Sequence, residues 1–398
     1  MQEPSSIDRQ RTFLPSLEGI RGYAFLPVFF AHYFPVSRFP YHSSLWLLPL
    51  SFVMDTAWLA VPIFFVLSGY LIGGILYDTR ERVGFFRVFY SRRILRVFPV
   101  YYITLLVIAC IDSMHGVPLN INYWAHFLYI QNLLPGYTGN LTAAPSVQTV
   151  HFWSLAVEEQ FYLTWPLVVW LCRDRRTLLR VTVLLIGLCC VFRVFAPWMH
   201  LSVIRCYFVT PTRVDAILLG VVLVLSRGHR IYKTLEPYAK WVALAGVSSM
   251  IVIALWTGHA MPETDLRLAL QIPCVNLTAA AVVVAVMEEG SLLCRICSLR
   301  WACWLGSLSY GLYIFHFTYV SWFVKVFEPG LAVYMPETLA FITSGAVAFC
   351  LTLCLALLSY RFVEQPALNL KSRLRYGPVI VRKALNATGP ALSSTEAA

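Results

Sequence analysis

The sequence predicts an all-helical integral membrane bundle of about ten transmembrane helices, with both termini in the cytoplasm. Hydrophobic residues make up 59% of the 398 residues and charged residues only 13%, which is about half the charged fraction of ordinary soluble domains. Apolar windows long enough to cross a bilayer recur along the whole chain. Basic residues cluster in the short loops between these windows, so the net charge of +11 indicates membrane topology and not nucleic-acid binding.

The apolar windows define the helices in order. Between them, basic loops such as the one at 80–93 alternate with loops that contain acids, such as Asp112 and Glu328. By the positive-inside rule, this alternation places both termini in the cytoplasm. Arginines that flank the two shortest windows can lengthen them by snorkelling. The ten windows lie at 14–34, 57–76, 97–111, 152–172, 178–195, 213–226, 241–256, 268–287, 301–324 and 339–359.

The windows leave room for one membrane domain. We expect this domain at 14–367, after a cytoplasmic segment at 1–13 and before a cytoplasmic tail at 368–398 that is disordered or forms a short surface helix. No small-residue cleavage site follows the first window, so we do not interpret it as a cleavable signal peptide. The eleven cysteines are an odd number and lie mostly inside apolar windows. This pattern favours packing roles, and the sequence predicts no metal site.

The first window contains ionisable residues, which inside a membrane usually mark a functional site. Arg21 and His32 are eleven residues apart, close to three helical turns, so they share one helix face. Glu18 lies one further turn toward the N-terminus on the same side. The alternative is that Glu18 only pairs with Arg21 and that His32 caps the outer end of the helix.

The fourth window begins HFWSLAVEEQFYLTWP and places Glu158 and Glu159 inside an apolar helix. A carboxylate at membrane depth costs roughly 2.5–3.5 kcal/mol, so such groups usually face an interior cavity. The alternative interpretation is that Ser154 caps the helix and that the helix dipole stabilises the acids by about 0.3–1 kcal/mol. That accounts for one acid at an interface but not for two acids next to Trp153 and Tyr162. We therefore predict a polar site here.

Two arginines open the third helix in the run RRILRVFPVYY. Arg93 and Arg96 are i, i+3 neighbours, so both guanidinium groups reach one patch at the cytoplasmic boundary. Guanidinium groups suit phosphate recognition. Anchoring of the helix by the positive-inside rule is the alternative, and spacing alone does not exclude it.

Further polar residues lie in the later windows. His316 lies beyond the membrane midplane in the ninth window, where it either packs or acts in the site. Arg213 and Asp215 at the outer start of the sixth helix form an ion pair or line the site.

Two other patterns predict packing. Gly69 and Gly73 have GxxxG spacing, which is typical of close helix packing in membranes. Arg361 and Glu364 have the spacing of a structural i, i+3 ion pair.

Taken in order, these segments resemble the acyltransferase family 3 membrane proteins, which include bacterial O-antigen and exopolysaccharide O-acetylases, Nod-factor acetylases and macrolide acyltransferases. The resemblance extends over residues 14–367. The matching segments are LEGIRGYAFLPVFFAH, FFVLSGYLI, RRILRVFPVYY, HFWSLAVEEQFYLTWP, the step from Arg213 to Asp215, LGSLSYGLYIFH and YRFVEQP. Glu18 and Pro27 depart from the family pattern and are expected to reshape the pocket.

The resemblance implies a multi-pass enzyme of the cell membrane, in bacteria the inner membrane. It would move an acyl group, usually acetyl, from cytoplasmic acyl-CoA to a hydroxyl of a glycan or another cell-envelope or small-molecule acceptor. Acyl-CoA would be a co-substrate with no bound cofactor, and a separate soluble enzyme would be a possible partner. The alternative function is a transporter or flippase for a glycan or lipid intermediate, although the sequence shows no inverted repeat.

The family motifs assign roles to residues of this chain. Arg21 and His32 match the family's first-helix pair, and we expect His32 to deprotonate the acceptor or to carry the acyl group. Glu158 or Glu159 would orient and charge-balance that histidine, with Glu158 preferred. The acyl-CoA phosphates would bind Arg93 and Arg96. The expected lining of the rest of the site consists of Trp153, Ser154, Tyr162, Arg213, Asp215 and His316.

Overall fold

The computed structural model describes residues 14–33, 57–134, 149–172, 174–257 and 264–379. These residues form α-helices joined by short turns, and an isolated bridge pairs Arg82 with Val379. The predicted segment at 1–13 and the part of the predicted tail beyond residue 379 lie outside the described residues.

The main helices follow the predicted windows, and shorter helices connect them. The labelled helices are α1 (Pro15–Tyr33), α2 (Ala60–Thr79), α3 (Phe85–Met114), α4 (Phe152–Leu171), α5 (Arg175–Phe195), α6 (Val214–Ser226), α7 (Ala239–Thr257), α8 (Asp265–Met287), α9 (Arg300–Ser307), α10 (Ser309–Thr318), α11 (Val320–Ala332), α12 (Glu337–Ser359) and α13 (Gln365–Lys371).

The helices confirm a multi-pass membrane protein. Within the described ranges, six helical stretches are long and apolar enough to cross a membrane. Helices α1 and α4, which contain the acids and bases of the predicted site, are not among the six. The count of ten crossings and the cytoplasmic position of the termini stay predictions. The six stretches are Ala57–Thr79, Phe85–Met114, Arg175–Met199, Arg230–Thr257, Asp265–Met287 and Leu339–Lys371.

Helices α2 and α6 cross in backbone contact at glycines. A Cβ atom on Gly69 would lie 1.8 Å from the carbonyl oxygen of Ile217, and one on Gly220 would lie 2.1 Å from that of Val66. Gly73 faces α6 one turn further along. The predicted close packing at Gly69 and Gly73 is confirmed, because only residues without a side chain fit at this crossing.

A second glycine crossing holds α1 against α9. A Cβ atom on Gly22 would lie 2.4 Å from the carbonyl oxygen of Ala302, and one on Gly306 would lie 1.9 Å from that of Glu18. Since α1 contains Arg21 and His32, this crossing sets the position of both side chains.

The predicted ion pair between Arg361 and Glu364 is wrong. Residues Tyr360–Glu364 form a π-helical turn between α12 and α13. Arg361 donates to the side chain of Gln365 at 3.4 Å, while Glu364 lies 3.9 Å from Arg96 inside the bundle. The i, i+3 rule assumes 3.6 residues per turn, and the wider π-turn rotates the two side chains apart.

The start of the predicted tail is ordered. Helix α13 ends at Lys371, and residues 372–379, which we call the C-terminal strap, run beside the start of α3. Arg92 donates two hydrogen bonds to the carbonyl oxygen of Leu374, at 3.0 and 2.5 Å. The Gly377 N–H donates to the Val83 carbonyl at 3.0 Å, and the Val83 N–H donates to the Pro378 carbonyl at 3.1 Å. These partners lie far away in the sequence, so local composition does not reveal them.

The glycine crossing predicts a difference between two Gly→Ala variants. Gly69→Ala forces the α6 backbone away and should destabilise the protein by about 1–3 kcal/mol. The control is Gly187→Ala in α5, where a Cβ atom meets nothing within 4 Å and alanine is the better helix former. Thermal unfolding of the purified proteins in detergent measures both. Equal Tm values for Gly69→Ala and Gly187→Ala would contradict the proposed contact.

Candidate active site

A cavity of about 1880 Å³ opens at the end of the bundle that contains the basic loops. We call this end the basic end. Helices α1, α2, α3, α4, α10 and α13 and the C-terminal strap all contribute to the cavity wall. The inner end contains Ser154 and Tyr313, and the mouth contains Arg82, Arg92 and Lys371.

Both glutamates of α4 line this cavity, as expected from their cost in lipid. The Tyr162 hydroxyl donates to the Glu158 carboxylate at 3.1 Å and shares a second hydrogen bond with the Ser68 hydroxyl. Arg93 lies 5.9 Å from the centre of the Tyr162 ring. The acids therefore face a polar interior that contains a nearby cation.

Arg21 of α1 also lines the cavity. Its guanidinium lies 3.9 Å from the Glu18 carboxylate, so the pair considered in the sequence analysis does form. The same guanidinium is within electrostatic range of Glu158. Arg21 is therefore placed between an acid on its own helix and an acid on α4.

Arg93 and Arg96 both line the cavity. Arg96 lies 3.9 Å from Glu364, a carboxylate that is only 2% exposed. The predicted phosphate-binding pair thus points into the cavity, but an internal acid already faces Arg96.

Ser154 lies in the first turn of α4, which begins at Phe152, so the interpretation of Ser154 as the N-cap is wrong. Its hydroxyl lies 2.6 Å from the Tyr313 hydroxyl. Both hydroxyls are within hydrogen-bonding distance of the His151 carbonyl oxygen, at 3.1 and 3.0 Å. The pair of Ser154 and Tyr313 forms the inner end of the cavity.

Three histidines lie beyond this inner end. Nε2 of His316 is 3.2 Å from Nδ1 of His32, and the ring centres of His151 and His316 are 4.9 Å apart. His151 and His316 are buried, whereas His32 is exposed. His151 immediately precedes the fourth predicted helix, and as a single histidine outside any periodic pattern it gave no signal in the sequence.

The hydrogen bonds fix which nitrogens bear protons. Nδ1 of His316 lies 2.7 Å from the Tyr313 carbonyl, and Nδ1 of His32 lies 2.9 Å from the Val28 carbonyl. A carbonyl oxygen only accepts, so we assign a proton to both Nδ1 atoms. In its neutral form, His32 then presents a lone pair on Nε2, and Nε2 of His316 is an acceptor beside Nδ1 of His32.

The expected contact between a glutamate and His32 is not what the structure shows. The hydrogen-bond partners of His32 are Val28 and His316, whereas the Glu158 carboxylate accepts from Tyr162. The layer formed by Ser154 and Tyr313 lies between the glutamates and the histidines. Helix spacing gave both groups a similar depth, but spacing does not determine which side chains meet.

Trp153, Arg213 and Asp215 do not line the cavity. Asp215 accepts a hydrogen bond of 2.7 Å from Arg193, and both side chains are at most 2% exposed. The Arg213 guanidinium lies 4.5 Å from the Tyr207 ring and 5.4 Å from the Trp153 ring. The structure thus places these three residues behind α4 and not in the cavity wall, and their predicted part in the site stays a prediction.

Arg193 is a second buried residue that the sequence did not reveal. It also donates to the Thr212 carbonyl at 2.6 Å. Its signal was an arginine in the apolar second half of the fifth window, because a buried arginine is tolerated only with a partner.

Comparison with known proteins identifies relatives of the chain. A family model described as an acyltransferase domain matches residues 14–361. The chain is 27% identical over 380 residues to the peptidoglycan O-acetyltransferase OatA of Listeria monocytogenes, a match that covers 89% of this chain and 56% of that protein. It is 28% identical over 380 residues to the putative peptidoglycan O-acetyltransferase YrhL of Bacillus subtilis, with 89% and 55% covered.

A putative O-acetyltransferase of Staphylococcus aureus is 26% identical over 405 residues, which cover 96% of this chain and 62% of that protein. The chain thus spans little more than half the length of the relatives it matches. No solved structure matches the chain.

The buried pair behind α4 predicts a large loss of stability in one variant. Asp215→Asn leaves the Arg193 charge buried without a carboxylate and should destabilise the protein by about 3–5 kcal/mol. Asp174→Asn is the matched control, since Asp174 is an exposed N-cap residue and asparagine caps equally well. Chemical denaturation of the purified proteins compares them. A denaturation midpoint for Asp215→Asn equal to that of Asp174→Asn would show that the pair does not stabilise the fold.

Proposed function

The chain belongs to the acyltransferase family whose model covers residues 14–361, and we propose that it is a membrane-embedded O-acetyltransferase. It would move an acetyl group from acetyl-CoA, bound from the cytoplasm, to a hydroxyl of a cell-envelope glycan. The observation that supports this best is the cavity, which leads from the basic end toward an exposed histidine on the far side of the bundle.

The cavity suits a large anionic donor. Its volume of about 1880 Å³ exceeds the roughly 300–1,000 Å³ that is typical of pockets for small ligands. An acyl-CoA has phosphates at one end and its thioester at the other, and the cavity has cations from the mouth inward. In this orientation the thioester reaches Ser154 and Tyr313, and the phosphates remain near the basic end.

The histidine cluster supports general base catalysis by His32. Its Nε2 lone pair takes the proton of the acceptor hydroxyl as the hydroxyl oxygen attacks the acetyl carbonyl carbon. The carbon–sulfur bond of the thioester then breaks, and the CoA thiolate takes up a proton. Nε2 of His316 and the Val28 carbonyl accept from Nδ1 of His32, so they stabilise the imidazolium that forms. The same lone pair would attack the thioester if His32 carries the acetyl group itself.

The glutamates have a different role from the one expected. Glu158 is within electrostatic range of Arg21 and Arg93, and Glu159 is near Arg93. We propose that the two acids balance these arginines in the inner cavity, which keeps the cations in place next to the thioester.

A glycan acceptor is proposed from the relatives. Two of them are named as peptidoglycan O-acetyltransferases, one of these as putative. A glycan hydroxyl would approach from the side of the bundle where His32 is exposed, opposite the mouth of the cavity.

The function predicts that His32→Ala abolishes acetyl transfer. Membranes that contain the protein are incubated with labelled acetyl-CoA, and label in the glycan fraction is measured. His115→Ala is the matched control, because His115 is exposed and its Nδ1 bonds the carbonyl four residues earlier, as in His32. We expect a loss of at least about 100-fold for His32→Ala and none for His115→Ala. Labelled glycan at the wild-type rate from His32→Ala would exclude His32 as the base, and no transfer by the wild type would exclude the function.

Donor binding predicts a KM effect at Arg93. Removing one charge-assisted hydrogen bond to phosphate costs about 1.5–3 kcal/mol, so Arg93→Ala should raise the KM for acetyl-CoA by about tenfold or more. Arg87→Ala is the control, since Arg87 is exposed on the same helix and does not line the cavity. Steady-state kinetics at varied acetyl-CoA measures both variants. An unchanged KM in Arg93→Ala would count against donor binding at this residue.

A further inference from the structure

The C-terminal strap forms part of the cavity mouth. Lys371 at the end of α13, together with Arg375 and Tyr376 of the strap, lines the cavity. Arg82 lines the cavity from the turn before α3, and Arg92 lines it from the N-terminal part of α3. Lys371 and the strap therefore add two cations to a mouth that already contains arginines.

The strap is held in place by side-chain and backbone contacts. Arg92 donates to the Leu374 carbonyl through Nε and Nη2, and its guanidinium lies 5.2 Å from the centre of the Tyr376 ring. Two backbone hydrogen bonds with Val83 fix the strap further along. Because both ends of the segment are attached to the helical bundle, Lys371 and Arg375 keep a fixed position at the mouth.

Lys371 and Arg375 at the mouth lack the close carboxylate partners that the arginines deeper in the cavity have, although Asp78 and Glu289 also line the cavity. Arg96 faces Glu364, and Arg93 is near Glu158 and Glu159. Lys371 is within electrostatic range of Arg92, Arg93 and Arg96, and within the described part of the chain neither Lys371 nor Arg375 forms an ion pair. Like charges held together favour an anionic ligand at that place.

We propose that Lys371 and Arg375, supported by Tyr376, form the subsite for the phosphorylated nucleotide end of the donor. This inference rests on the proposed function. A donor whose thioester reaches Ser154 and Tyr313 has its phosphates at the opposite end, near the mouth. Arg93 then contacts the middle of the donor, and the strap contacts the end that the two inner arginines do not reach.

The test compares two ligands on the full-length protein in lipid nanodiscs. Acetyl-CoA contains the phosphates, whereas acetyl-pantetheine contains the same thioester without them. The double variant Lys371→Gln/Arg375→Gln should bind acetyl-CoA about 10- to 100-fold more weakly than the wild type, because the removal of each charge-assisted hydrogen bond weakens binding roughly tenfold. It should bind acetyl-pantetheine as the wild type does. Calorimetry gives the dissociation constants, and thermal unfolding confirms that the variant is folded.

Arg373→Gln is the matched control. Arg373 lies two residues before Arg375 on the same strap and is exposed, and it does not line the cavity. We expect the affinity of Arg373→Gln for acetyl-CoA to stay within about twofold of the wild type, because an exposed side chain outside the cavity wall makes no hydrogen bond to a ligand in the cavity.

Three results would overturn the inference, and they separate it from the proposed function. Wild-type affinity for acetyl-CoA in the double variant, together with a weakened Arg93→Ala, removes the strap from the site and leaves the proposed function intact. If the affinity for both ligands decreases equally, the substitutions disturb the shape of the cavity, and Lys371 and Arg375 do not form a phosphate subsite. Failure of the wild-type protein to bind or consume acetyl-CoA overturns the proposed function and the strap subsite with it.

Discussion

The structure depends on the high free energy of ionisable groups in a membrane, which must be enclosed and partnered. Arg21, Glu158 and Glu159 meet this requirement around one cavity. Arg193 and Asp215 meet it as a buried ion pair behind the cavity wall. The glycine crossings allow this enclosure, because helices in backbone contact leave no gap for lipid. The same requirement therefore shapes both the cavity and the tightly packed scaffold around it.

The positions of the helices were largely predictable from the sequence, and seven of the twelve predicted site residues line the cavity. Apolar windows mark helices because burial in lipid selects them residue by residue, and costly charges inside such windows indicate an interior cavity. The partners of those charges were not predictable. Asp215 pairs with Arg193 and not with Arg213, Glu364 faces Arg96, and His32 meets His316 and not a glutamate. Such contacts depend on how helices far apart in the sequence are arranged, and periodicity within one helix contains no information on that.

The two ends of the candidate site differ in how the protein holds its charges. At the basic end, several cations share a wide mouth with few acids, which suits a ligand that brings its own negative charge. At the histidine end, the Nδ1 protons assigned to His32 and His316 are each held by a backbone carbonyl. In the proposed function, the first end would attract the anionic donor and the lone pair at the second end would act on the acceptor. The layer of Ser154 and Tyr313 lies between the two ends.

The π-turn at Tyr360–Glu364 determines how α13 is rotated about its axis relative to α12, and therefore which side chains of α13 face the cavity mouth. A π-turn accommodates one residue more than an α-helical turn, and each residue of an α-helix corresponds to a rotation of about 100°. If the turn relaxed to regular α-helix, α13 would rotate by about that angle, and Lys371 would no longer face the cavity. Glu364 would leave Arg96 in the same movement. The length of this segment is therefore under a geometric constraint that is independent of which side chains it contains, so insertions or deletions there would be tolerated less well than substitutions.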